Sequence, residues 1–159
     1  VKADGSVVTW GQPGAGGDTS RIRELLAADV QKIAATSTAF AAIKRDGSVV
    51  TWGISSYGGD SSAVRTQISS GVLDVTGTQF AFAAVKADGS VVAWGQPGYG
   101  GDISAVREQL AADVQQVVAT QRAFAAVKCN GSVVTWGHAR EGGNSGAVHE
   151  QLAADVQQV

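Results

Sequence analysis

This chain has no methionine, one cysteine, two prolines and two histidines in 159 residues. A single cysteine excludes an intrachain disulfide framework. No run of 18 apolar residues occurs, so no transmembrane helix and no membrane insertion are expected. No basic-then-apolar leader opens the chain. Charge of one sign is also lacking: the net charge is −2, and without a basic stripe no nucleic-acid partner is expected. Starting without Met and inside a hairpin, the chain reads as a processed or trimmed product or as a fragment of a longer array. That leaves its compartment open. What the chain has in quantity is glycine, 21 residues, and a composition 44% hydrophobic, enough for one domain with a core.

The glycines mark a repeat. Phe82–Gly95 reads FAAVKADGSVVAWG, two short apolar runs around Asp88-Gly89. Asp-Gly between such runs is the strongest short-range hairpin signal, since a type I′ turn needs φ > 0 at both central residues. A two-residue loop would pair Lys86 with Val91, Val85 with Val92 and Ala83 with Trp94, placing Ala83, Val85, Val92 and Trp94 on one face. Phe82, Ala84, Val91 and Ala93 would share the other. Both faces are apolar, so the hairpin expects cover on both sides.

Copies begin at Val1, Ile43, Val85 and Val127, each 42 residues after the last. A period of this size means a solenoid, propeller or array. The fourth copy is nine residues short, lacking the equivalent of Val118–Ala126. Gly5, Gly47, Gly89 and Gly131 are the turn glycines. After each Trp-Gly pair comes a variable loop ending in Gly-Gly, then Asp18, Asp60, Asp102 or Asn144. An amphipathic run follows, as in Ile103–Ala112, with Val106 and Leu110 four apart. It predicts a helix of two to three turns capped by the Asp or Asn. Val114–Thr120 predicts a strand, as do Val30–Thr36 and Val72–Thr78. The expected architecture is β-rich: propeller-like blades, each of three antiparallel strands plus one short helix, forming one repeat domain over 1–159. An open β/α solenoid-like stack is the alternative, and a four-bladed ring closed by 156–159 against the first hairpin is a further possibility. Trp10, Trp52, Trp94 and Trp136 form the expected packing ridge, each worth up to ~4–6 kcal/mol on the area each ring can bury.

The pattern V-x-x-V-x-A-T-x-x-A-F-A-A-V-K-x-D-G-S-V-V-T-W-G, best seen in Val114–Gly137 with Asn130 at the Asp position, resembles the regulator-of-chromosome-condensation repeat. The resemblance covers about 24 of every 42 residues and implies a propeller-like blade. The chain departs from that family in having Gly-Gly-Asp where Gly-Gln-Leu-Gly is usual, and Ala39, Ala81 and Ala123 where a histidine is usual. Its members form seven-bladed propellers, and this chain holds fewer than four repeats. No residue here matches an exchange-factor or chromatin-binding position.

Candidate chemistry is sparse. Asp18, Asp60, Asp102 and Asn144 could be calcium ligands, but one acid per repeat is poor spacing for six to eight oxygens, and capping explains them better. Lys2, Lys44, Lys86 and Lys128 could form a cationic ring; solvated turn residues is the simpler reading. His138 and His149 with Glu141 between them invite a metal or acid–base reading, yet His149 replaces Arg23, Arg65 and Arg107 at a surface position. Cys129 sits where Ala3, Arg45 and Ala87 stand and has no activating neighbour. No phosphate loop or catalytic triad spacing occurs. No cofactor, metal site or catalytic residue is therefore expected. The variable positions carry the functional expectation, since loops on a rigid scaffold build binding surfaces. One loop class holds Pro13, Tyr57, Pro97, Tyr99, His138 and Arg140; the other holds Thr38, Phe80 and Arg122. Aromatic and Arg residues are the usual interface anchors. The expected function is non-enzymatic protein–protein contact or assembly, with another protein, a larger assembly or other copies of the chain as the expected partner. A carbohydrate- or ligand-binding module is the alternative, and a metal-dependent enzyme the least favoured.

Overall fold

The computed structural model describes residues 1–159 as three antiparallel sheets, each of three strands in sequence order. The first holds β1 (Val30–Ala35), β2 (Ala39–Lys44) and β3 (Val49–Gly53). The second holds β4 (Val72–Gly77), β5 (Ala81–Lys86) and β6 (Val91–Gly95). The third holds β7 (Val114–Ala119), β8 (Ala123–Lys128) and β9 (Val133–Gly137). These are propeller-like blades stacked face to face. No helix is long and apolar enough to cross a membrane.

The hairpin turn differs from the expected one by a residue. Val85 pairs with Val91, Ala84 with Val92 and Phe82 with Trp94. Gly89 N–H donates to Lys86 O and Lys86 N–H to Ser90 O, both at 2.9 Å. The loop is therefore Ala87-Asp88-Gly89. Gly89 has φ +76° while Asp88 has no positive φ, which excludes type I′ and fits a three-residue loop with its glycine in the left-handed region. Asp88 favours this form because its Oδ1 accepts from the Ser90 N–H at 3.0 Å and the Ser90 hydroxyl at 2.6 Å. A one-residue slip exchanges the two faces of a strand. Trp94 thus shares its face with Phe82, Ala84 and Val92, not with Ala83 and Val85.

This pairing makes each blade two-faced. The Phe82, Ala84, Val92 and Trp94 face packs on Ala39, Ala41 and Ile43 of the preceding blade. The Ala81, Ala83, Val85 and Val91 face receives Phe124, Ala126, Val134 and Trp136 of the following one. The Phe and Trp rings of one face lie against the small alanines and valines of the other. Trp94 is 4% exposed, and its ring lies 5.3 Å from that of Phe82. Its indole N–H donates to Gly58 O of the preceding repeat at 3.0 Å; Trp52 and Trp136 do the same to Gly16 O and Gly100 O. Gly58 must be glycine: its φ is +98°, and a Cβ there would lie 2.5 Å from the Phe82 ring.

The fourth tryptophan departs from the expected ridge. Residues 1–11 form no strand, and Trp10 is 84% exposed. Its hairpin turn closes, with Lys2 N–H on Ser6 O at 2.8 Å, but no strand pairs alongside and no blade lies beneath the ring. The possible four-bladed ring is likewise absent. No hydrophobic cluster joins the first sheet to the third, and Val156 N–H donates to Gly131 O rather than meeting the first hairpin.

The expected two-to-three-turn helix is reduced to 3-10 turns, as at Ser20–Ile22, Ser62–Val64 and Ser104–Val106. In the last repeat Gly146–Leu152 is broken at Val148. So short a segment cannot hold a helix by itself. The Asp102 carboxylate takes the Ser104 N–H at 2.8 Å, closing a local turn that competes with helical bonding. Asp18, Asp60 and Asn144 cap Ser20, Ser62 and Gly146 in the same way. The four-apart pair survives as one bond, Leu110 N–H to Val106 O at 3.1 Å, which carries Leu110 into the core. The absence of helices removes the β/α solenoid alternative. The strand that follows starts after a left-handed residue, Asp29, Gly71 or Asp113, and Asp155 takes the same conformation where no strand follows, which explains why Gly71 substitutes in the second repeat.

Two predictions follow from this packing. Trp94→Ala should cost about 3–5 kcal/mol in urea unfolding, whereas Trp10→Ala should change stability by less than about 0.5 kcal/mol; equal losses would refute the inter-blade role. The capping serines hold the carboxyls of Asp4, Asp18, Asp46, Asp60, Asp88 and Asp102 below their usual value of 3.8. A folded value below the unfolded one contributes stability that is whole above 3.8 and lost as the pH falls through the lower folded value. Stability should therefore decline below about pH 4. Joint Asp46→Asn, Asp60→Asn, Asp88→Asn and Asp102→Asn substitution should flatten that decline, since Asn130 and Asn144 already make the same bonds without titrating. Thermal midpoints between pH 2 and 6 would check it.

Candidate functional site

The antiparallel order brings two kinds of loop to one end of every blade. Corners join the first strand to the second at Ser37-Thr38, Gln79-Phe80 and Gln121-Arg122. The loops leaving the third strand begin at Ile54, Gln96 and His138. Each loop start donates its N–H to a corner carbonyl: Ile54 to Thr38 at 3.0 Å, Gln96 to Phe80 at 2.9 Å and His138 to Arg122 at 2.8 Å. A threonine closing the first strand ties the far end of the loop down, Thr36 Oγ1 to Tyr57 O at 3.2 Å, Thr78 Oγ1 to Tyr99 O and Thr120 Oγ1 to Glu141 O at 3.1 Å each. The corners are joined across blades, Ser37 N–H to Gln79 O at 3.1 Å and Gln79 N–H to Gln121 O at 2.8 Å. Corner and loop side chains therefore alternate along one rim.

Five sequence-predicted residues meet there. The Phe80 ring lies 4.5 Å from Tyr57 and 4.8 Å edge-on to Tyr99. The Arg122 guanidinium lies 5.3 Å above the Tyr99 ring, and His138 lies 6.2 Å from Tyr99. Arg122 Nη1 donates to Glu141 Oε1 at 2.8 Å, with His138 Nδ1 3.7 Å from the same oxygen. Phe80 is half-buried, its flanks on the tyrosines. The chain's buried side-chain polar atoms without a hydrogen-bond partner are Thr38 Oγ1, Gln79 Oε1, Arg122 Nε and His138 Nδ1. All four belong to this rim. Sequence reasoning missed Gln79 and the partnership of Glu141 with Arg122; the strand register that sets corner 122 opposite loop residue 138 is the signal that finds them.

The other candidates stand apart. Pro13 and Pro97 are exposed where 3-10 turns begin, and Arg140 is exposed and unpaired. Asp18, Asp60, Asp102 and Asn144 line shallow grooves on the flank of each repeat. Each stands alone, for no three His, Cys, Asp or Glu side chains gather anywhere. His149 lines the last of these grooves, away from His138 and Glu141. Lys44, Lys86 and Lys128 lie at the opposite end of the blades from the rim, beside the hairpin turns, and form no ion pair. Lys32 on β1 instead pairs with Asp74 on β4, across blades. Cys129 is free and exposed.

No protein-family model matches the chain, and no curated protein matches it in sequence. Its fold is found among solved structures. The ectodomain of the Physcomitrella patens receptor kinase CR4 is 16% identical over 86% of this chain and 35% of that one, with a TM-score of 0.54. Prp20p from Saccharomyces cerevisiae is 18% identical over 80% of this chain and 40% of that one, with a TM-score of 0.51. The chain thus spans between a third and two fifths of the length of these structures. Both are β-propellers, and the three sheets of this chain are blades of that fold.

Proposed function

We propose that the chain is a non-enzymatic protein-interaction or assembly module of regulator-of-chromosome-condensation type, one repeat domain over residues 1–159. Its contact surface is the rim formed by Tyr57, Phe80, Tyr99, Arg122 and His138. The observation that carries this reading is their convergence: residues that vary between otherwise near-identical repeats form one continuous row. A surface rich in Tyr, Phe and Arg, held by backbone bonds on a sheet scaffold, is the composition of an interface anchor. Prp20p, whose structure was described with its binding to Gsp1p and histones, supports a partner-binding use of the fold without naming a partner for this chain. The proposal includes no nucleic acid, cofactor or membrane insertion.

Cross-linking in the source extract should capture a defined partner with the wild-type chain and lose it with Phe80→Ser plus Tyr99→Ser. Capture that survives the double substitution would remove the rim from the reading. A glycan array distinguishes the carbohydrate alternative: sugar binding lost on substituting Tyr57 and Tyr99 would replace the proposal. Stoichiometric zinc in the purified chain would do so in favour of a metal enzyme.

A further inference from the structure

We infer that two copies of the chain join head to tail, the first hairpin of one laid on the last blade of the other through Trp10 and Gly142. The contact uses the outer faces of the end blades rather than the rim side chains, so it does not rest on reading the rim as a contact surface.

The chain holds both halves of one joint without joining them. Inside the stack that joint occurs three times, the indole N–H of Trp52, Trp94 or Trp136 donating to the carbonyl of Gly16, Gly58 or Gly100 in the preceding repeat. The series leaves one donor over at the start, Trp10, and one acceptor over at the end, Gly142. Neither the Trp10 indole N–H nor the Gly142 carbonyl has a hydrogen-bond partner in the chain. The glycine cradle is already shaped and stands open. Gly142 has φ +108°, where Gly16, Gly58 and Gly100 have +95°, +98° and +99°. At those three a Cβ would lie 2.5 to 2.6 Å from a Phe ring of the next blade. At Gly142 the nearest atoms are Ala123 Cβ at 3.7 Å and Thr120 Cγ2 at 3.9 Å, both of its own blade.

The apolar faces match in the same way. Val8 and Trp10 are 59% and 84% exposed, where Val92, Val134, Trp94 and Trp136 are between 4% and 6%. At the other end Ala125 is half-buried, where its equivalents Ala41 and Ala83 are fully covered. A bulky face without its alanine face, and an alanine face without its bulky one, are the two sides of the packing that joins the internal blades. The backbone continues the series. Arg45, Ala87 and Cys129 N–H donate to the carbonyls of Asp29, Gly71 and Asp113 at 2.8 Å each, while Ala3 N–H and Asp155 O, the next members, are unpaired. Seating Trp10 on Gly142 of a second copy brings these two groups together as well. Unlike surfaces meet, so the contact is heterologous and leaves one free face on each copy. The joint has no counterpart of Val118–Ala126, Phe124 included. It is therefore weaker than the internal joints, with a Kd of about 1–100 µM.

Sedimentation of the chain between about 1 µM and 1 mM tests this. The average mass should rise above that of a monomer with concentration. Trp10→Ala at the head and Ala125→Glu at the tail should each weaken association about tenfold or more. Each variant keeps one intact half, so mixing the two should form a pair that stops at two copies. Tryptophan emission should also shift to the blue with concentration in the wild-type chain and not in Trp10→Ala, a readout that does not depend on the folding of Ala125→Glu. A wild-type chain monomeric throughout, association indifferent to Trp10→Ala, or folded variants that do not pair on mixing overturns the inference. Association abolished instead by Phe80→Ser plus Tyr99→Ser also overturns it, by assigning self-contact to the rim. Failure of the head-to-tail contact leaves partner capture through Phe80 and Tyr99 standing.

Discussion

Each inter-blade contact depends on one arrangement: a Phe and Trp pair lying on the glycine of the preceding repeat. The indole N–H reaches back 36 residues to a glycine carbonyl, and the glycine has no Cβ to hold the rings away. Because the donor and the acceptor belong to different repeats, no repeat completes its own core. That is the quasi-one-dimensional logic of repeat proteins, in which neighbours supply the missing face. Trp10 shows the converse: the same residue in the same local sequence stays in solvent where no blade lies beneath it.

The two ends of the blades have different work. At the hairpin end, backbone bonds stitch repeat to repeat, as from Val72 N–H to Gly47 O at 3.0 Å and from Ala87 N–H to Gly71 O at 2.8 Å. Near-identical side chains recur there, as a mechanical joint requires. At the corner end the backbone is equally well bonded, but the side chains change from repeat to repeat. Polar atoms left without partners gather at that end alone.

The short 3-10 turns belong to the same economy. A full helix after each Gly-Gly would have needed a larger apolar face than Leu26, Ile68 and Leu110 provide. The Asp-to-Ser turn satisfies the backbone locally, and one residue per repeat enters the core. The result is a thin blade whose faces stay free for stacking.

The sequence alone determined the repeat length, the hairpins, the blade of three strands and the two classes of variable loop. Those follow from periodicity and turn chemistry, which are local. It did not determine the register. Asp-Gly suits a two-residue or a three-residue loop, and the difference is settled by which faces can stack on neighbouring blades. That one-residue choice moved Phe82 beside Trp94 and set residue 122 opposite 138. The rim followed from it, with Tyr57, Phe80, Tyr99 and Arg122 brought together from segments about twenty residues apart. Tertiary structure also decided between helix and turn, and between a buried and an exposed tryptophan. In each case the deciding term was burial against another repeat, which local sequence cannot encode.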